Sequence, residues 1–119
     1  MPVKLRPGTI DDAKECGRIL YEAFKSIADQ HHFPPDFPSV EVATGVTTML
    51  LSHPEFYAVV AELDGQIVGS NFLDERSIIA GIGPITVDPR VQDRGVGRLL
   101  MRGVLDRASA QKFPGVRLV

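Results

Sequence analysis

Apolar residues recur at two spacings along the chain, and the switches between them mark out its elements. Residues 3–6 alternate apolar and polar and read as a short strand, which Pro7-Gly8 ends. Beyond it Ala13, Cys16, Leu20, Ala23, Phe24 and Ile27 return every three or four residues, the spacing of one buried helical face. Thr9 is a suitable N-cap for that helix, and Asp11 and Asp12 suit the positive end of its dipole. The stretch HHFPPDFPS, residues 31–39, has three prolines and no apolar period, and so reads as an irregular loop. Ser39 can cap a second helix with Val42, Val46, Met49 and Leu50 on one side, ending at His53-Pro54.

The period then drops to two. Residues 56–73, FYAVVAELDGQIVGSNFL, are two β-branched and aromatic runs joined by Asp64-Gly65, a dipeptide suited to the positive φ angles of a tight hairpin turn. A third run over residues 77–87, SIIAGIGPITV, predicts the last strand of a three-stranded meander. Pro84 cannot donate to a sheet ladder, so this strand should bulge at Gly83-Pro84 or face a neighbour to which it is not bonded there.

After a turn at Asp88-Pro89, the residues Val96, Leu99, Leu100, Val104 and Leu105 mark a third helix whose first turn lies near Arg94-Gly95. Two glycines among arginines are an unfavourable start for a helix. Glycine costs roughly 1 kcal/mol inside one, and cations are disfavoured at its positive end. Two readings resolve the conflict: a ligand, since unpaired amides at a helix start, reached closely past glycine and helped by Arg94 and Arg98, bind phosphate, or glycines that serve tight helix–strand packing while the arginines stay solvated. There is no GxGxxG opening a strand–helix–strand unit and no GxxxxGK(S/T), so neither a dinucleotide fold nor a P-loop nucleotidase is supported.

Composition narrows the field. At 119 residues, 44% hydrophobic and 24% charged, the chain suits one soluble folded domain. Thirteen Lys and Arg against fifteen Asp and Glu, a net charge of −2, give no reason to expect nucleic acid or an anionic membrane as partner. The single cysteine, Cys16, sits on the first helix's apolar stripe and reads as a small core residue. With no leader or membrane-length apolar run, it points to a reducing, cytoplasmic setting. His31 and His32 lack ligand spacing, so no metal site is expected.

The segment Gln92-Asp93-Arg94-Gly95-Val96-Gly97, preceded by ITVDP, resembles motif A of the GNAT acyltransferase superfamily, Q/R-x-x-G-x-G/A, which binds the pyrophosphate of acetyl-coenzyme A. LRPGTIDDA resembles that family's opening strand and helix, ELDGQIVGS its second-strand hairpin, and the element order also agrees. The resemblance implies an α+β fold with a mixed sheet, ordered strand, helix, helix, three strands, helix, strand. It implies that Ile85, Thr86 and Val87 offer backbone groups to the pantetheine arm, while Gln92, Asp93, Arg94, Gly95, Val96, Gly97 and Arg98 hold the pyrophosphate. The strand bearing Pro84 would splay from its neighbour and open the thioester slot. Asp93 replaces a glycine common in the motif, bringing a carboxylate that competes with phosphate.

The implied activity is transfer of an acetyl group from acetyl-CoA, as co-substrate, to an amine of a small molecule or peptide. Catalytic groups are less legible. The fourth strand carries no carboxylate, which leaves Glu22, Asp29, His31, His32 and Asp74 as candidate bases. The tyrosine that protonates the leaving thiolate in many relatives lies on a helix after the fifth strand, where this sequence ends with GVRLV; Tyr21 and Tyr57 do not match its position. A complete domain would add a helix and two strands, so the expected assembly is a homodimer or completion by another chain. The alternative reading is a non-catalytic CoA-binding module, or a fragment of a longer tandem protein, whose chain alone need show no turnover.

Overall fold

A computed structural model describes residues 3–32, 34, 37–91 and 95–118. Strand β1 (Lys4–Pro7) leads through one 3-10 turn, Ile10–Asp12, into α1 (Ala13–His31). The first-turn carboxylate of Asp12 does more than favour the dipole: it accepts the Thr9 amide at 2.8 Å and pairs bidentately with Arg6 at 2.8 and 2.9 Å. Helix α2 (Val40–Ser52) starts at Ser39, whose Oγ accepts the Val42 amide at 3.2 Å. The hairpin β2 (Phe56–Leu63) and β3 (Gln66–Asp74) turns at Asp64 and Gly65, with φ of 55° and 79°, as the dipeptide predicts.

The third run of the meander is not one strand. It divides into β4 (Ile79–Ile82) and β5 (Thr86–Val87), separated by a cis Gly83–Pro84 peptide, so the described residues form six strands rather than five. Both halves pair with β3, Leu73 opposite Ile82 and Ser70 opposite Thr86, and the ladder lapses between them. Asn71 covers that gap. Its Oδ1 accepts the Phe72 amide at 2.8 Å and its Nδ2 donates to the Leu100 carbonyl at 3.2 Å, so the broken ladder leaves no buried polar side-chain atom unsatisfied among the described residues.

The sheet runs β1-β2-β3-β4-β6, with neighbours antiparallel except that β6 (Gly115–Leu118) lies parallel to β4, and with β5 beside β3. Helix α3 (Val96–Ala110) covers one face, packing Val96, Leu100, Val104 and Ala108 against Val59, Ala61, Val68 and Leu73. On the other face Leu50 of α2 meets Ala58 and Phe72, and α1 lies across β3 and β5. Helices α1 and α2 approach so closely that a Cβ on Gly17 would stand 2.6 Å from the Thr44 Cα.

Three apolar stripes differ from their expected membership. In α2 the buried positions are Ala43, Thr47 and Leu50, with Val42 and Met49 exposed; in α3 Ala108 takes the inner place, with Leu99 and Leu105 outward. In α1, Ile19 is buried and Ile27 is 52% exposed. The sheet and, for α2, mainly helix α1 contact a narrow stripe of each helix, and flanking apolar residues fall outside it. No described helix is long and apolar enough to cross a membrane.

Candidate acyl-CoA site

A cleft of about 380 Å³ opens where β5 ends and α3 begins. Its walls are Ala23, Phe24 and Ile27 of α1, then Ile85, Thr86 and Val87, and at one end Gly95, Val96 and Gly97. Six of the ten residues singled out for the cofactor therefore share one cavity. Arg98 is exposed and does not line it. Gln92, Asp93 and Arg94 lie outside the described residues.

Gly95 caps α3 with φ of 76°, a left-handed conformation that glycine adopts without strain. It brings no capping side chain, and the first turn of α3 carries no carboxylate. The first bond inside the helix runs from the Leu99 amide to the Gly95 carbonyl at 3.1 Å, so the amides of Val96, Gly97 and Arg98 have no intrahelical acceptor. This positive end suits an anion. Strand β5 is bonded to β3 on one side and has no strand on the other among the described residues, so one backbone edge is free for an extended ligand. These groups fit a coenzyme A: an aliphatic arm with two amides against an apolar wall and a strand edge, and a diphosphate at the helix start.

The turn leading to the loop is held from within. Asp88 is 2% exposed; its amide donates to the Val68 carbonyl at 2.8 Å, and its carboxylate accepts Nη2 of Arg90 at 2.7 Å and Nη2 of Arg18 at 3.4 Å. Hydrogen bonding from Arg90, set against desolvation, holds the carboxyl down at about 2, well below its ordinary value. Its charge is thus neutralised by two guanidinium groups, which limits repulsion of a nearby phosphate. Arg18 also pairs with Glu15 at 2.8 Å and with Glu22, tying α1 to the strand end 70 residues away.

The structure does not gather the candidate bases. Glu22 is bonded to Arg18, and Asp29 to Lys25 at 2.8 Å. His31 and His32 are exposed at the end of α1. Asp74 ends β3, where Arg76 grips it at 2.8 and 2.7 Å; those bonds lower its pKa. None of these lines the cleft. Cys16 is buried, and desolvation pushes its thiol up to about 12. Tyr57 lies under the Arg107 guanidinium at 4.7 Å.

Sequence reasoning missed the α1 wall and the Asp88 pairing. Phe24 and Ile27 lie one turn apart at the edge of the apolar stripe, a placement that could have flagged them as lining rather than core. Nothing local signals a contact between Arg18 and Asp88.

The site thus lies where a mixed sheet parts at its fourth run, beside a helix start bare of carboxylate. The Acetyltransferase (GNAT) family model matches residues 17–119, and the chain belongs to that family. No curated protein sequence matches it. Among solved structures, the PaiA N-acetyltransferase of Thermoplasma acidophilum in complex with coenzyme A superposes with a TM-score of 0.78 at 15% identity, over 99% of this chain and 79% of that one. A GNAT family acetyltransferase from Brucella melitensis in complex with acetyl-CoA gives 0.76 at 22%, over 98% and 75%. An aminoglycoside acetyltransferase from an uncultured soil metagenomic sample gives 0.69 at 18%, over 100% and 80%. At these identities the likeness is one of fold.

Proposed function

We propose that this chain binds acetyl-CoA in the cleft between α1, β5 and α3 and transfers the acetyl group to an amine of a small molecule or peptide. One observation carries the reading: a free strand edge and an uncapped helix start open into the same cavity. Bound there, acetyl-CoA supplies a thioester whose carbonyl carbon an amine attacks, releasing the CoA thiol.

The residues have separate tasks in this reading. The amides of Val96, Gly97 and Arg98 take the diphosphate; Gln92, Asp93 and Arg94 belong to the same loop by sequence. Ile85, Thr86 and Val87 hold the arm in register. Phe24 and Ile27 keep bulk water from it, which strengthens every polar contact inside. No residue lining the cleft among those described is an acid or a base, so the acceptor's proton leaves through water or through one of Glu22, His31, His32 or Asp74. A second reading, a module that binds CoA without turning it over, also fits the described lining.

Titration calorimetry with acetyl-CoA, followed by thiol release measured across a panel of amines, tests both. Micromolar binding with release supports the transferase, binding without release supports the module, and no binding removes both. Strand β6, with Val116 and Leu118 exposed and β4 as its one described neighbour, is the edge we assign to pairing with a second copy or another chain. A monomer by light scattering at high concentration would count against that pairing.

A further inference from the structure

A second cavity, of about 320 Å³, lies at the other end of the break in the fourth strand. Val46, Met49 and Leu50 of α2 and Phe56 of β2 form its apolar walls; His53, the Asp74–Arg76 pair and Gly83–Pro84 complete it. Gly83 and Pro84 run directly into Ile85, Thr86 and Val87 of the cofactor cleft, so one stretch of backbone borders both cavities. An acyl group carried along β5 and a molecule seated against Pro84 would meet at that stretch.

We propose that the acceptor acetylated by this chain is a small primary amine with an uncharged apolar body, aryl or branched alkyl, seated in this second cavity; the proposal rests on the function proposed above. Size and charge carry it. The volume is at the lower end of small-molecule sites, about 300–1,000 Å³. Asp74, the one carboxylate among its described residues, accepts Nε and Nη2 of Arg76, and the Arg76 guanidinium covers the Phe56 ring at 4.8 Å. A polycation would need several unpaired carboxylates, and the described residues of this lining offer none.

His53 adds polarity of one sign. Its Nδ1 accepts the Glu55 amide at 3.0 Å, an arrangement that places the ring's N–H on Nε2 as a donor. Met49, 59% exposed, is an adaptable apolar group on the rim. In the reaction the amine nitrogen forms a bond to the acyl carbon, the carbon–sulfur bond breaks, and the proton lost by the amine ends on the CoA sulfur.

The test is amine binding to the CoA-saturated protein, read by saturation-transfer NMR so that turnover is not required. Propylamine, butylamine and pentylamine should tighten about fourfold per methylene, the gain of burying one CH₂. Phenethylamine should bind at least tenfold tighter than spermidine or kanamycin. Met49→Lys, a change at an exposed position, should weaken phenethylamine at least tenfold while the Kd for CoA stays within twofold. A flat chain-length series, tighter binding of spermidine or kanamycin, preference for a peptide amine, or indifference to Met49→Lys with CoA bound overturns the acceptor class alone. Failure of the wild type to bind CoA overturns both readings.

Discussion

Replacing Gly97 by alanine should move stability and cofactor affinity in opposite directions. Gly97 is the second residue of α3, and a Cβ there would meet Val87 Cγ2 at 3.8 Å, an ordinary contact that requires no shift. Removing a helical glycine gains about 0.5–1 kcal/mol, which for a chain of this size raises Tm by roughly 2–5 °C. The same methyl would stand beside the amides assigned to the diphosphate. Loss of one charge-assisted hydrogen bond costs about 1.5–3 kcal/mol, a fall in affinity of about ten- to a hundredfold. Thermal melting of the free protein gives the first quantity and calorimetric titration with CoA the second. An unchanged Kd would refute the phosphate assignment, and a lower Tm would refute the packing argument.

Three further outcomes follow from buried groups. The Asp88 carboxyl, held at about 2 against an ordinary 3.8, adds about 2 kcal/mol of stability that is fully present above pH 5 and is lost as pH falls toward 2; Asp88→Asn should flatten that acid limb in urea melts. Cys16, buried with its thiol pushed up to about 12, should resist a disulfide reagent in the native protein and react with one equivalent in urea; fast native labelling would contradict the burial. Gly17→Ala should destabilise by about 1–2 kcal/mol despite its better helix propensity, since its Cβ meets the Thr44 backbone at 2.6 Å; a higher urea midpoint would show that α1 and α2 separate freely.

The order of elements was legible because each rests on local chemistry: Ser39 as cap, Asp64-Gly65 as turn, the two-residue period of β2 and β3. Membership of the buried stripes was less so. Val42 and Met49 have the right hydropathy and the wrong azimuth, and azimuth depends on which partner a helix meets. Pro84 announced an interruption in the sheet but not its form, since the division into β4 and β5 depends on Asn71 covering the gap from another strand. Gly95 and Gly97, which stand out in the sequence, line one end of the cleft. Its α1 wall was not legible there, because Phe24 and Ile27 look like core until the sheet's position is known. Arg18 and Asp88, 70 residues apart, leave no mark on local pattern at all.

The unladdered side of β5 behaves like half a zipper. Any extended molecule with amide spacing can close it, whether a pantetheine arm or a misplaced strand from a neighbouring polypeptide. The two occupants compete, so clumping of the apoprotein should slow when ligand is added and quicken when it is dialysed away. A ligand seated there would then also guard this protein against its own aggregation.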